Sequence, residues 1–172
     1  MTTSPVSKDI LRSIKGIVFD VDGVLTDGRI TYTDDGHELK SFNVQDGASI
    51  KLLMENEIAV AIITGRRSPI VAKRARELGI HHVVQGATSK PAALDALIAD
   101  GFPDNNLAAI GDDIQDLALF EHSAITCPVT VANAHPQVLS LTSWVTQRAG
   151  GQGVAVEVAQ EILTAQDRWP WD

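Results

Sequence analysis

Positive charge, cysteine, aromatic rings and long apolar runs are all scarce in this chain of 172 residues. Fourteen Lys and Arg stand against twenty-two Asp and Glu, a formal net charge of -8. That balance argues against nucleic acid or an anionic membrane as the main partner and leaves only local basic pockets for anions. A single cysteine, Cys127, excludes an internal disulfide and any cysteine-rich zinc site, and reads as a small apolar residue. The histidines show no metal-binding spacing. No apolar run approaches the roughly 18 residues that would span a bilayer, and Met1–Gly16 is polar, without the apolar core of a signal peptide. The expectation is therefore a cytoplasmic protein. Aromatics are few, but 44% hydrophobic residues supply a full core for a single domain over residues 1–172.

What the chain does have is acid at the ends of short apolar stretches. Ile17, Val18 and Phe19 suit a buried strand, and the run stops at Asp20 and Asp22. Gly23 permits a sharp turn, which would leave Asp20 at the strand tip and Asp22 on the loop, both facing one small volume. Two anions there repel, and a divalent cation would relieve the repulsion. An acidic surface turn is the plainer account of Asp-x-Asp taken alone.

Downstream, Ile30 and Tyr32 alternate with polar residues before the Asp35-Gly36 turn, and Leu39 and Phe42 follow it. This predicts a β-hairpin insertion at about 28–43 whose edges are protected on another subunit, giving a homo-oligomer, with a small solvated hairpin as the alternative. A helix is expected from Asp46 to about Asn56. Ala59–Ile63 makes a second buried strand, ended by Thr64-Gly65-Arg66. Ser68-Pro69 opens a helix that Gly79 stops, and His82–Val84 is a third strand. Ser89 caps a helix through Ala99, Leu107–Ile110 is a fourth strand closed by Gly111-Asp112-Asp113, and a helix runs to about Glu121. A strand near Ala124–Thr126, a short helix after Pro136, a strand at Trp144-Val145 and a helix over Val154–Gln166 complete the chain. This alternation predicts an α/β fold, a Rossmann-like three-layer sandwich with a central parallel sheet.

In such sheets ligands sit beyond the carboxyl ends of the strands. Asp20/Asp22, Thr64 and Asp112/Asp113 all fall on that edge. Carboxylates from Asp20 and Asp112, with a carbonyl from the Asp22 turn and waters, form an oxygen set suited to Mg²⁺. Beside such an ion Asp20 can attack phosphorus, while Asp22 protonates the leaving oxygen and then deprotonates water. Thr64 offers a hydroxyl and an N–H, and Lys90, in a first helical turn, offers a point charge; both could hold phosphoryl oxygens. Asp113 and Asp116 would orient metal-bound water or Lys90. Taken singly, each of these residues also fits a turn, a cap or a solvated face.

D-V-D-G-V, then T-G-R, then Lys90, then G-D-D-x-x-D at Gly111–Asp116 resembles the four motifs of the haloacid dehalogenase superfamily of phosphatases. Within it, V-F-D-V-D-G-V-L-T-D-G, F-N-V-Q-D-G, T-G-R-R-S-P and A-G-G-Q-G resemble the capless 3-deoxy-D-manno-octulosonate 8-phosphate phosphatases, which serve lipopolysaccharide precursor synthesis. The resemblance implies a capless fold, Mg²⁺, a homotetramer joined through the hairpin and a site partly closed by a neighbouring subunit. It implies Asp20 as nucleophile, Asp22 as acid/base, and Asp20, Asp22 through its carbonyl and Asp112 as metal ligands. Substrate contacts map to Asp22, Asn43, Val44, Gln45, Asp46, Gly47, Lys51, Gly65, Arg66, Arg74 and Lys90. For Lys51 and Arg74 a solvated helix face is an equal alternative. After A-G-G-x-G the family commonly carries an arginine before a glutamate, whereas here Val156 precedes Glu157 and the chain closes on R-W-P-W-D. Both departures count against closure by a neighbour's carboxyl-terminal segment.

The expected activity is Mg²⁺-dependent hydrolysis of a sugar acid phosphate, 3-deoxy-D-manno-octulosonate 8-phosphate, through an aspartyl-phosphate. Two rivals stand beside it. One is a phosphatase for a nine-carbon ulosonate 9-phosphate; the other is a non-catalytic scaffold or regulatory module of the same fold.

Overall fold

The structure is a computed structural model, and it describes residues 6–171. Residues 1–5 of the polar amino-terminal stretch and the final Asp172 lie outside the described residues. Six parallel strands form the central sheet: β1 (Gly16–Phe19), β4 (Ala59–Thr64), β5 (His82–Gln85), β6 (Leu107–Gly111), β7 (Ile125–Thr130) and β8 (Trp144–Val145), in the order β5-β4-β1-β6-β7-β8. β2 (Thr31–Tyr32) and β3 (Glu38–Leu39) pair antiparallel as a separate hairpin, as the alternation around Asp35-Gly36 predicts.

The two-residue period of a strand divides the core in two. Ile17, Phe19, Val60, Ile62, Ala108 and Ile110 face one side, where they pack under α1 (Lys8–Ser13), α2 (Val44–Glu55), α3 (Pro69–Leu78) and α7 (Val154–Ala165). Val18, Ala61, Ile63, Leu107 and Ala109 face the other, under α4 (Lys90–Ala99) and α5 (Ile114–Phe120). Because both faces are covered, these strands read as continuous apolar runs. No helix among the described residues is long and apolar enough to cross a membrane.

Three elements differ from expectation. The helix α1 is absent from the sequence reading because it is a six-residue piece of a polar segment; it is held by Ser7, whose side chain accepts from the Ile10 N–H, and by burial of Leu11 and Ile14. Helix α2 begins at Val44 rather than Asp46, since the Asn43 side chain caps it through the Gln45 N–H at 2.8 Å. Strand β7 runs on through Pro128 to Thr130, well past Thr126. Proline lacks a donor, but pairing with β8 begins only at Val129, so Pro128 interrupts no bond on that side. Helix α6 (Pro136–Leu141) follows His135.

The strand order reverses between β1 and β6, neighbours that diverge towards opposite edges of the sheet. Asp20 follows β1 and Asp112 follows β6, so the carboxylates flank the reversal, where an open α/β sheet leaves a crevice.

Candidate active site

The Asp20 N–H donates to the Ile110 carbonyl at 3.0 Å, extending the β1–β6 ladder by one step and placing the two strand tips side by side. Oxygens of Asp20, Asp112 and Asp116 lie within 4.8 Å of one another. Lys90 Nζ sits 3.0 Å from Asp20 Oδ2 and also contacts Asp116 Oδ1. The cleft around these groups has a volume of about 580 Å³ and is bordered further by Asp22, Thr64, Gly65, Arg66 and Asp113.

The three clustered carboxylates are not equivalent. Asp116 is buried, with Oδ1 on Lys90 and Oδ2 accepting from the N–H groups of Asp112 at 3.0 Å and Asp113 at 3.1 Å. Both its oxygens are committed, so it orients Lys90 and the Asp112 loop. Gly111 makes this possible, since a Cβ there would collide with the Asp116 carboxylate. Asp113 caps α5 in a capping box with Asp116. The Asp20 Oδ1 accepts from the Val21 N–H at 2.7 Å, and Oδ2 faces Lys90.

The electrostatics follow from burial. Asp20 is pushed up to about 6, first by desolvation, against the lowering effect of Lys90 and with a further rise from the Asp116 charge. Asp112 is pushed up to about 7, again by desolvation first and then by the charges of Asp20, Asp116 and Asp113. Burial alone would lower the Lys90 ammonium, but the Asp20 and Asp116 charges outweigh it and raise it. One lysine is thus too little cation for the acid gathered here. The donor set suits a hard divalent ion: Asp20 and Asp112 offer oxygens, and Gly23 at φ +89° leaves the Asp112 carboxylate the space beside the Asp22 turn that any Cβ would fill.

Asp22 meets two cations, Lys40 from the hairpin and Arg66 from just past β4. Its Oδ1 contacts Lys40 Nζ, and its Oδ2 lies 3.8 Å from Arg66 Nε. Glu38 joins them, 2.7 Å from Arg66 Nη2 and 3.4 Å from Lys40 Nζ. Lys40 and Glu38 were absent from the sequence-based site; their signal is that residues two apart in a strand share a side, here opposite to Leu39. Thr88 and Gln115 also border the cleft without having been singled out.

Asn43, Val44, Gln45, Asp46, Gly47, Lys51 and Arg74 form a separate group around the start of α2 and do not line the cleft. Asn43 caps α2, Val44 is 78% exposed, and Gln45 and Lys51 are exposed. Gly47 accommodates the Arg74 guanidinium where a Cβ would collide, and Arg74 stacks over Phe42 at 5.8 Å. Asp46 turns inward, accepting from the N–H groups of Ala155 at 2.7 Å, Gly153 at 3.3 Å and Val156 at 3.4 Å, and so caps α7 from another element. The A-G-G-Q-G segment packs on the loop that follows Asp22: the Gly151 N–H donates to the Val24 carbonyl at 2.9 Å, and a Cβ on Gly150 would strike the Gly23 carbonyl.

Residues 70–158 match the model for haloacid dehalogenase-like hydrolases. The 3-deoxy-D-manno-octulosonate 8-phosphate phosphatase of Yersinia pestis is 41% identical over 168 residues, 95% of this chain and 89% of that protein. The same-named protein of Escherichia coli is 40% identical over 95% of this chain and 88% of its own length. A crystal structure of the Yersinia pestis phosphatase superposes with a TM-score of 0.88 at 41% identity, covering 94% of this chain and 86% of that one. The Moraxella catarrhalis phosphatase, in complex with magnesium, phosphate and KDO, superposes with a TM-score of 0.87 at 39% identity, covering 93% and 91%. With the strand-end carboxylates, the buried lysine and this extent of likeness together, the chain belongs to the haloacid dehalogenase-like hydrolases, in the family of the 3-deoxy-D-manno-octulosonate 8-phosphate phosphatases.

Proposed function

We propose that this protein is a Mg²⁺-dependent phosphatase that releases phosphate from 3-deoxy-D-manno-octulosonate 8-phosphate. The reading is supported above all by one observation: oxygens of Asp20 and Asp112, from separate strands, lie within 4.8 Å of each other with Lys90 Nζ 3.0 Å from Asp20. Asp20, the Asp22 carbonyl and Asp112 would hold Mg²⁺, which supplies charge neutralisation for an anionic ester approaching an anionic nucleophile. Asp20 attacks phosphorus, and Lys90, with the Thr64 and Gly65 segment, meets the phosphoryl oxygens as charge spreads over them. Asp22 gives a proton to the leaving sugar oxygen and then takes one from the water that cleaves the aspartyl-phosphate. Arg66, at the cleft rim, offers a guanidinium to the sugar acid's carboxylate. The α2 group, with Arg74 and Lys51, would act on substrate only where the bound sugar or a second subunit extends to it.

The chain works as one domain, residues 1–172, in the cytoplasm and as a homotetramer joined through the hairpin. Ile30, Tyr32 and Leu39, apolar and exposed on the hairpin, support the assembly. The intact set Asp20, Asp22, Thr64, Lys90 and Asp112 favours an enzyme over a silent scaffold.

The test is phosphate release from eight-carbon and nine-carbon ulosonate phosphates and neutral sugar phosphates, with Mg²⁺ and with chelator. The expected result is Mg²⁺-dependent release, greatest kcat/KM for the eight-carbon substrate, and no turnover by Asp20→Asn although it folds. Undiminished release by that variant refutes Asp20 as nucleophile, and preference for a nine-carbon ester reassigns the substrate.

A further inference from the structure

The Lys40 side chain is 1% exposed, although the preceding Leu39 faces outward. A buried ammonium is costly unless anions meet it. Two do: Asp22 Oδ1 in direct contact and Glu38 Oε1 at 3.4 Å. Arg66 closes the circuit, 2.7 Å from the same Glu38 oxygen and 3.8 Å from Asp22 Oδ2. Four charges alternate in sign around a ring that ties the hairpin to the β4 tip, and Asp22 is the member assigned to proton transfer.

Resting on that assignment of Asp22, we propose that Lys40 is a positioning residue for the general acid. It fixes the Asp22 carboxyl from the Oδ1 side, and since Arg66 Nε stands 3.8 Å from Oδ2, beyond hydrogen-bond distance, that oxygen can carry the proton. In the first step a bond forms between an Asp20 oxygen and phosphorus while the bond from phosphorus to the sugar oxygen breaks. The bonding pair stays on the sugar oxygen, which takes the Asp22 proton. Negative charge therefore grows on Asp22 as the step proceeds, and a cation already seated on Oδ1 meets it without reorganisation. In the second step Asp22 recovers a proton from water as the water oxygen bonds to phosphorus and Asp20 departs as carboxylate.

This role has a signature that a purely structural or substrate-binding lysine lacks. An alkyl sugar oxygen is a poor leaving group and needs the proton, whereas 4-nitrophenolate leaves as a stable anion. General acid catalysis typically contributes about 10²–10⁴-fold, so Lys40→Met is expected to lower kcat/KM for the sugar phosphate at least about tenfold and for 4-nitrophenyl phosphate less than about threefold. The comparison is made with Mg²⁺ on one enzyme sample, so the ratio cancels any loss of folded protein, and Lys40→Gln gives a second reading of the same ratio. Equal losses on both substrates, or no loss on either, overturn the proposal. Asp22→Asn is run beside it: if that variant shows the selective loss and the Lys40 variants do not, only the role of Lys40 falls. Should Asp22→Asn itself lose activity equally on both substrates, the acid/base reading of Asp22 falls with it.

Discussion

Asp116 sits against the candidate site with both of its oxygens already hydrogen-bonded or ion-paired within the protein. Its oxygens meet Lys90 and two backbone N–H groups, and beside it stand Asp20 and Asp112, the proposed cation ligands. Those two are raised to about 6 and about 7, far above the ordinary value near 3.9 for aspartate. A raised carboxyl holds its proton more tightly in the folded chain than in the unfolded one. Its contribution to stability is therefore complete below about pH 4 and is lost as pH climbs through the folded values, by about pH 7. A divalent ion competes with those protons. Mg²⁺ is thus expected to raise the melting temperature clearly at about pH 8, where the pair is ionised and self-repelling, and much less at about pH 5. Thermal melts with Mg²⁺ and with chelator at the two pH values check this, and an equal rise at both would contradict the pairing of Asp20 with Asp112. At this scale the acids were legible from their places at strand ends, but which of them the backbone N–H groups of Asp112 and Asp113 would meet was not. That depends on backbone N–H directions that appear only when the Gly111–Asp116 turn closes.

Among the elements, α2 and α7 are joined by a cap that neither helix contains. Asp46 lies in the first turn of α2, yet its carboxylate receives N–H groups from the start of α7. Helix α7 begins after Gly153, which has no side chain to do this itself. Replacing Asp46 by alanine leaves these donors buried without an acceptor, with an expected cost of roughly 1–3 kcal/mol. Urea unfolding would measure it. A variant as stable as the parent would show that the donors find another acceptor. From sequence, Asp46 is part of F-N-V-Q-D-G and reads as a substrate contact. Its partners lie more than a hundred residues away, and no local pattern points to them.

For the molecule as a whole, the hairpin has an inverted character: Leu39 is 53% exposed and Tyr32 61%, while the Lys40 side chain is 1% exposed. An isolated two-stranded hairpin is marginal in water, and this one turns charge inward and apolar surface outward. Both features make sense if its outer face meets other copies. On the proposed tetramer, the double substitution Tyr32→Asp with Leu39→Asp is expected to reduce the sedimenting species to monomer. A tetramer that survives it would place the interface elsewhere. The ring from Lys40 to Asp22 would link the proposed assembly to chemistry, because whatever fixes the hairpin also fixes a partner of Asp22, the proposed acid/base.

The linear order of residues was enough to establish the alternation of strands and helices, the parallel sheet and the acidic edge. Each of these depends on short-range periodicity and on burial of apolar runs, properties that neighbours in sequence carry themselves. Folding in three dimensions alone decided that Asp46 caps α7, that Asp116 meets Lys90 and two backbone N–H groups, and that Lys40 reaches Asp22. Those outcomes turn on hydrogen-bond directions and ion pairs between segments far apart in the chain, where the partner is chosen by packing and not by spacing.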